Sequence, residues 1–270
     1  MAIITISRQK GSLGDEIAKA VSESLQYALV DKTKISDAMA DQGLPSPEFE
    51  KFDGKKPTIW QSMTDQKRRF TFLIRAVLYD FARKGNAVIL GRGGQALLKQ
   101  IPGTLHVRIV APMGTRIKRL VELEQRDNQR AEQLLVQSDR DSSGFIRSFF
   151  DADWEDETLY DIILNSRSIS VKTAVKLIME ATRSPEFSRR AADVEASLED
   201  KALMQKAKAV LVGYPGIDLT RIEVAQGVIV LSGLARSKDN IESCCTTVRQ
   251  IDGVKEVHSK LEILPFAGVG

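Results

Sequence analysis

The chain has 270 residues, 43% of them hydrophobic and 28% charged, and a formal net charge of +3. Such totals fit a soluble globular protein with room for two domains, and they lack the concentrated basic face of a nucleic-acid binder. The two cysteines, Cys244 and Cys245, are adjacent, which excludes a disulfide framework and a CxxC zinc site.

No basic leader precedes the apolar opening run, and no apolar stretch is long enough for a membrane span. The expectation is a cytoplasmic protein without a transmembrane segment. In chain order, Ala2 to Ile6 predicts a buried strand, Glu16 to Leu25 a helix and Tyr27 to Val30 a second strand. Residues 32–60 are polar and carry Pro45, Pro47, Gly54 and Pro57, the composition of short helices and loops. Gln66 to Arg83 sets Phe70, Leu73, Ile74, Val77, Leu78 and Phe81 on one helical face. Strand AVIL (87–90) runs into Gly91-Arg92-Gly93-Gly94, and strand LHVRIVA (105–111) follows a short helix. Thr115 to Glu124 is helical, Arg130 to Phe150 helical in broken form, Asp161 to Leu164 a strand and Val171 to Ala181 a helix. Strands alternating with helices predict a parallel sheet covered on both faces.

Beyond Arg183 the pattern changes. A polar stretch from Ser184 reads as a linker helix, followed by a helix, two strands turning at Gln226-Gly227, a helix and a last strand. That α-β-β-α-β order predicts a small α+β domain. The expected division is 1–183, a linker helix over 184–200, and 201–265.

Three stretches can carry chemistry. In SRQKGSLGDEIAKA (7–20), Gly11 and Gly14 turn backbone amides ahead of a helix whose dipole favours an anion. The G-x-x-x-x-G-K-[ST] pattern fails at its lysine in every register, because Ser12 follows Gly11 and Asp15 follows Gly14. Asp15 and Glu16 also favour that helix end themselves. By spacing alone the stretch reads as a turn before it reads as a nucleotide site. In GRGG (91–94), Arg92 stands at a strand's C-terminal end, where open α/β sheets place ligands; a tight turn with a solvated arginine is equally open. The third is the series Arg116, Arg119, Arg126, Arg130, Arg140 and Arg147, with a Ser-Ser-Gly hinge at 142–144 that suits a mobile flap. Surface arginines paired with acids are the plain alternative.

The order of "ITISRQ..GS.G.EIAKA", "GNAVILGRGG", "LHVRIVAP...RIKR" and "SDRDSSGFIRSFF..DW.DE.LYDIILN" resembles the cytidylate kinase-like family, a branch of the P-loop nucleoside monophosphate kinases, over residues 1 to about 180. The resemblance implies a P-loop kinase-like α/β domain, ATP and Mg2+, and transfer of a phosphoryl group to a pyrimidine nucleoside monophosphate such as CMP or dCMP. Segment 32–65 would hold the acceptor insertion and 130–150 the lid. Arg8, Lys10, Gly11, Ser12 and Gly14 would cradle ATP phosphates, while Arg92 and Gly93 would hold the acceptor phosphate. Arg116, Arg119, Arg140 and Arg147 would be catalytic, closing over the transferring group. Ser12, Asp139 and Asp141 would stand on the magnesium side.

The family loop usually reads GSGG, and Leu13 and Asp15 depart from it. A branched side chain restricts positive φ and hinders phosphate approach, and a carboxylate opposes phosphate. The alternative function is therefore a degenerate nucleotide-binding regulatory protein. Residues from about 195 to 265, "IEVAQGVIVLSGLARSKDNIESCCTTVRQIDGVKEVHSKLEIL" above all, resemble a BON domain, which implies a lipid, envelope or protein ligand. His106, His258, Trp60 and Trp154 read as packing or isolated residues, and the six acids from Asp151 to Asp161 as a solvated, helix-starting segment.

Overall fold

A computed structural model describes residues 2–43, 65–125, 127–188 and 192–264. Arg126, Trp60, the prolines of 45–57 and most of the expected acceptor insertion lie outside the described residues. Two compact units emerge from the contacts, one holding residues 1–59 and 84–194, the other 60–83 and 195–270.

The first unit is built on five parallel strands in the order β2-β3-β1-β4-β5. These are β1 (Ile3–Arg8), β2 (Ala28–Val30), β3 (Ala87–Leu90), β4 (Thr104–Val110) and β5 (Ile162–Asn165). Strand β1 is central: Ile3 to Ile6 pair with Ala87 to Leu90, and Ile3 to Arg8 pair with Thr104 to Ile109. A strand covered on both faces needs apolar side chains at successive positions, and β1 buries all of Ile3 to Ser7.

Helix α1 (Gly14–Leu25) lays Ile17, Ala18 and Val21 on Ile4, Ile6, Val88, Val107 and Ile109. Ala174, Val175 and Ile178, which belong to a helix later in the chain, join the same core. Helix α2 (Lys32–Asp41) starts at Asp31, whose carboxylate accepts from the Lys34 amide.

The second unit takes in helix α3 (Asp65–Lys84), through Arg83, although the sequence places that helix between two strands of the first sheet. Periodicity marks its buried face, Phe70, Leu73, Ile74, Val77 and Leu78, but not which elements cover it. Its Asp80 receives an ion pair from Lys206 at 2.8 Å.

Back in the first unit, α4 (Gly94–Leu97) covers the opposite face of the sheet, with Gly94 against Ile89 and Thr5. Helices α5 (Met113–Glu124) and α6 (Asn128–Phe150) pack as a hairpin around Leu120, Ala131 and Leu135. The expected break at Ser142-Ser143-Gly144 is not there, since α6 is one helix of 23 residues. A mid-helix glycine costs about 1 kcal/mol against alanine. Burial of Phe145, Ile146 and Phe149 around it returns about 1.5–3 kcal/mol each, which keeps the helix intact. Helix α7 (Val171–Arg183) carries Ala174, Val175 and Ile178 to the sheet, and a short α8 (Pro185–Ser188) follows.

Helix α9 (Ala192–Leu211) runs without interruption from the linker stretch into the second unit. There, β6 (Ile217–Ala225), β7 (Val228–Ala235) and β8 (Glu256–Ile263) form a mixed sheet with α10 (Lys238–Arg249) crossing between β7 and β8. Gln226 and Gly227 both have positive φ, the type I′ requirement, and both amides donate to the Asp200 carboxylate. Cys244 and Cys245 are free thiols in this unit's core, and burial pushes the Cys244 thiol up to about 11. Among the described residues no helix is long and apolar enough to cross a membrane.

Candidate functional site

Parallel strands bring their carboxyl ends to one edge of the sheet, and a cavity of about 630 Å³ opens there. Its walls come from the end of β1 (Ser7, Arg8) and the turn after it (Lys10), from Gly91, Arg92, Gly93 and Gln95, and from one face of α6. Four cations line it, Arg8, Lys10, Lys32 and Arg92, against two carboxylates, Asp15 and Asp141. That balance suits an anionic ligand. Leu134, Phe145, Ile146 and Trp154 supply an apolar wall beside the charged one.

The turn between β1 and α1 is held from outside by side chains. The carbonyl of Gly11 accepts from Arg119 Nη1 at 3.2 Å, and that of Ser12 accepts from the Ser166 hydroxyl at 2.6 Å. Arg119 also donates to Ser166 Oγ and, at 2.6 Å, to the Ser166 carbonyl. With these carbonyls turned into the protein, the first-turn amides of α1 are left to an external partner, since no intrahelical acceptor can reach them.

Ser12 itself is fully buried and its hydroxyl donates to the Ile109 carbonyl at 3.2 Å, so it faces β4 and not the cavity. Leu13 sits at φ +62°, the left-handed conformation that costs a branched residue strain, and its side chain packs onto the sheet core. It is therefore directed away from the mouth of the loop. Asp15 does face the cavity, but its carboxylate accepts from Arg8 Nε at 3.0 Å.

The arginines divide. Arg116 is buried and grips Asp139 of α6 bidentately at 3.0 and 2.8 Å, with a long third bond of 3.5 Å to the Lys10 carbonyl. Removal of Asp139 would strand the buried Arg116 charge. Arg119 is spent on Gly11 and Ser166. Arg140 and Arg147 are exposed on α6 and do not line the cavity. The α6 residues that do, Gln137, Ser138, Asp141 and Ser142 among them, lie on another face of the helix. Arg92 adopts φ +53° and lines the cavity; Gly93 at φ +80° caps α4 and carries the Phe150 ring directly on its Cα.

Behind the cavity, Trp154 donates from its indole to Ser7 Oγ at 2.8 Å, and its carbonyl accepts from Arg108 at 2.6 Å and Tyr160 at 2.8 Å. The Arg108 guanidinium lies 4.8 Å from the Trp154 ring centre. Trp154 is thus a packing residue that also forms part of the wall. Burial lowers the pKa of His106, whose Nδ1 lies 2.7 Å from Thr5 Oγ1 within the sheet, and raises that of Tyr160. Asp153, Asp156 and Asp161 accept from backbone amides of Glu155, Thr158 and His106, as structural acids do.

Sequence reading missed Ser166, Lys32, Gln95 and, Asp141 apart, the inward face of α6. The alternation of buried residues along α6 carried that last signal; nothing local marked Ser166.

Phosphate fits the cavity's cations and the loop amides. For Mg2+ the donor set is thinner: among the described residues Asp141 is the wall carboxylate without a cation partner, and it accepts from Gln137 at 3.0 Å. Magnesium commonly takes one or two carboxylates and completes its shell with water and substrate phosphate, so Asp141 suffices. Asp139 is committed to Arg116.

A parallel sheet with this strand order, a glycine turn before a helix and a cationic cavity at the carboxyl edge define a P-loop kinase-like fold. Residues 3–168 match the cytidylate kinase-like family, and the chain belongs to it. Residues 199–265 match the BON domain. The chain is 27% identical to a cytidylate kinase of Methanococcus aeolicus over 182 residues, 66% of this chain and 96% of that protein. Among solved structures, an uncharacterized protein from Eubacterium ventriosum is similar with a TM-score of 0.55 and 22% identity, over 68% of this chain and 99% of that one. A shikimate kinase from Bacteroides thetaiotaomicron follows at a TM-score of 0.42 and 14% identity, over 68% and 99%.

Proposed function

We propose that the first unit transfers a phosphoryl group from ATP to a pyrimidine nucleoside monophosphate. The observation that carries this reading is the cavity at the carboxyl ends of β1 and β3, where Arg8, Lys10, Lys32 and Arg92 meet a glycine turn opening a helix. Phosphoryl transfer needs mainly positioning and neutralisation of charge, and such a cluster supplies both. ATP with Mg2+ would supply the phosphoryl group. Arg92 would hold the acceptor phosphate and Asp141 the metal side, while Leu134, Phe145 and Trp154 would exclude water along the apolar wall. Arg116 and Arg119 act on the loop backbone in this reading, as positioning residues.

A second reading, a protein that holds a nucleotide without turning it over, is favoured by one observation. Arg140 and Arg147, expected to close on the transferring group, lie off the cavity wall. The second unit would be an accessory module for a lipid, envelope or protein ligand, and the setting cytoplasmic.

A coupled assay of ADP release with ATP, Mg2+ and each nucleoside monophosphate tests the first reading, with Arg92→Ala alongside. Release with CMP or dCMP, lost in the variant, establishes it. Nucleotide binding by calorimetry without turnover on any acceptor overturns it in favour of the second.

A further inference from the structure

The loop lacks the lysine that reaches the outer phosphates in G-x-x-x-x-G-K-[ST] loops, and the structure points to what replaces it. Arg8 ends the central strand, and its side chain crosses the glycine turn instead of leaving it. A Cβ on Gly14 would overlap the Arg8 Cβ, and a Cβ on Gly91 would lie 2.9 Å from Arg8 Nη1. Two glycines on different turns thus clear a track for one arginine, stem at the first and guanidinium at the second.

At the end of that track the guanidinium is aimed. Nε donates to Asp15 Oδ1 at 3.0 Å, which orients the planar group, and Arg8 has no other hydrogen bond among the described residues. The terminal nitrogens, the fork that matches phosphate oxygens, are left over. Arg8, Asp15, Lys32 and Arg92 line both the cavity at the carboxyl edge and a smaller neighbouring one of about 290 Å³. The side chains of the pair are 27% and 61% exposed, so it contributes little to folding, and its fixed geometry calls for another reason.

We propose that Arg8 grips the donor phosphates in place of the absent lysine, and that Asp15 is its positioning residue. This rests on the phosphotransferase reading for its ligand, but it concerns binding and can be tested without turnover. Asp15, which by sequence opposes a phosphate, serves one here by presenting the guanidinium edge-on from the helix start.

Calorimetry of the full chain with inorganic tripolyphosphate and with ATP–Mg2+ decides it. Loss of charged hydrogen bonds predicts binding weaker by roughly 30-fold for Arg8→Gln, with partial recovery in Arg8→Lys, which keeps charge but not the fork. Asp15→Ala should weaken binding by about 5-fold, whereas Asp15→Asn, which keeps an oxygen for Nε and removes the negative charge, should bind at least as tightly as the parent. Unchanged thermal midpoints separate these effects from folding, and Arg8→Lys serves where Arg8→Gln unfolds. Parent-like binding by Arg8→Gln overturns the proposal, as does tighter binding by Asp15→Ala, and as does a parent chain that binds neither probe. Binding lost in Arg8→Gln with no turnover in the parent upholds it while the phosphotransferase reading falls. Turnover that survives Arg8→Gln intact does the reverse.

Discussion

The β1–α1 loop and helix α6 line the same cavity, and they carry their chemistry by different means. In the loop, side-chain type misleads: Ser12 and Leu13 stand where a ligand-facing hydroxyl and an obstruction are expected, yet both turn inward. What faces the cavity is the helix start and Arg8, while Arg119 and Ser166 fix the backbone from behind. In α6 the backbone is fixed by its own hydrogen bonds, so rotational phase alone decides. Gln137, Ser138, Asp141 and Ser142 look inward; Arg140 and Arg147 do not. A loop is set by its neighbours and a helix by its period, so the same residue types mean different things in the two.

The largest effect should come from Gly93→Ala. A positive φ costs any L side chain about 1–2 kcal/mol, and the new methyl would overlap the Phe150 ring at the end of α6, adding about 1–3 kcal/mol of overpacking. Urea unfolding should show that loss. Gly114→Ala is the control, since a Cβ there meets nothing within 4 Å and, in the first turn of α5, should stabilise by at most about 0.5–1 kcal/mol, the value for a mid-helix site. Equal midpoints for the two would mean that α6 does not rest on the GRGG turn.

Ser166→Ala tests the loop alone. It removes the hydroxyl that bonds the Ser12 carbonyl and receives Arg119, leaving a buried acceptor unpaired at a cost of about 1–3 kcal/mol. Amide exchange at Gly11 to Gly14 should accelerate by more than exchange within α6. Uniform acceleration across both would say that Ser166 stabilises the unit generally and does not brace the loop.

Much of this was legible in the sequence. Apolar runs marked β1, β3 and β4, because a strand covered on both faces declares itself by composition, and the glycines marked both turns. The short strand β2 and the helix α7 were read as well. Three things were not legible. The partner of α3's apolar face is a matter of tertiary contact, which periodicity does not encode. The continuity of α6 through Ser142-Ser143-Gly144 follows from burial of Phe145, Ile146 and Phe149, which outweighs local propensity. Ser166 belongs to the site because β5 ends beside the loop, 154 residues away in sequence from the carbonyl it holds.

The helix phase can be broken directly. Ser142→Phe would place a ring in the cavity and should weaken tripolyphosphate or ATP binding about 10-fold, equivalent to about 1.4 kcal/mol. Arg140→Ala and Arg147→Ala should each change it by less than about 2-fold, as removal of exposed charges screened by salt does. A large loss in either arginine variant, with turnover collapsing too, would show that α6 rotates or moves to bring them in, and would restore their expected role on closure.

The smallest effect belongs to Leu13→Gly, and it is the sharpest test of how the loop differs from its family pattern. At φ +62° leucine bears about 1–2 kcal/mol of conformational strain that glycine would relieve. Against that stands the loss of a partly buried side chain packed on the sheet core, up to about 1.5–3 kcal/mol were it fully buried. The two nearly cancel, so the midpoint of unfolding should move by no more than about 1 kcal/mol. Anion affinity should not change, because the side chain points to the core and the backbone is already in the conformation a glycine would take. A rise in affinity of 10-fold or more would mean that Leu13 does obstruct the cradle. In that case its packing against Ile17 and the strands would be only one of two positions it occupies.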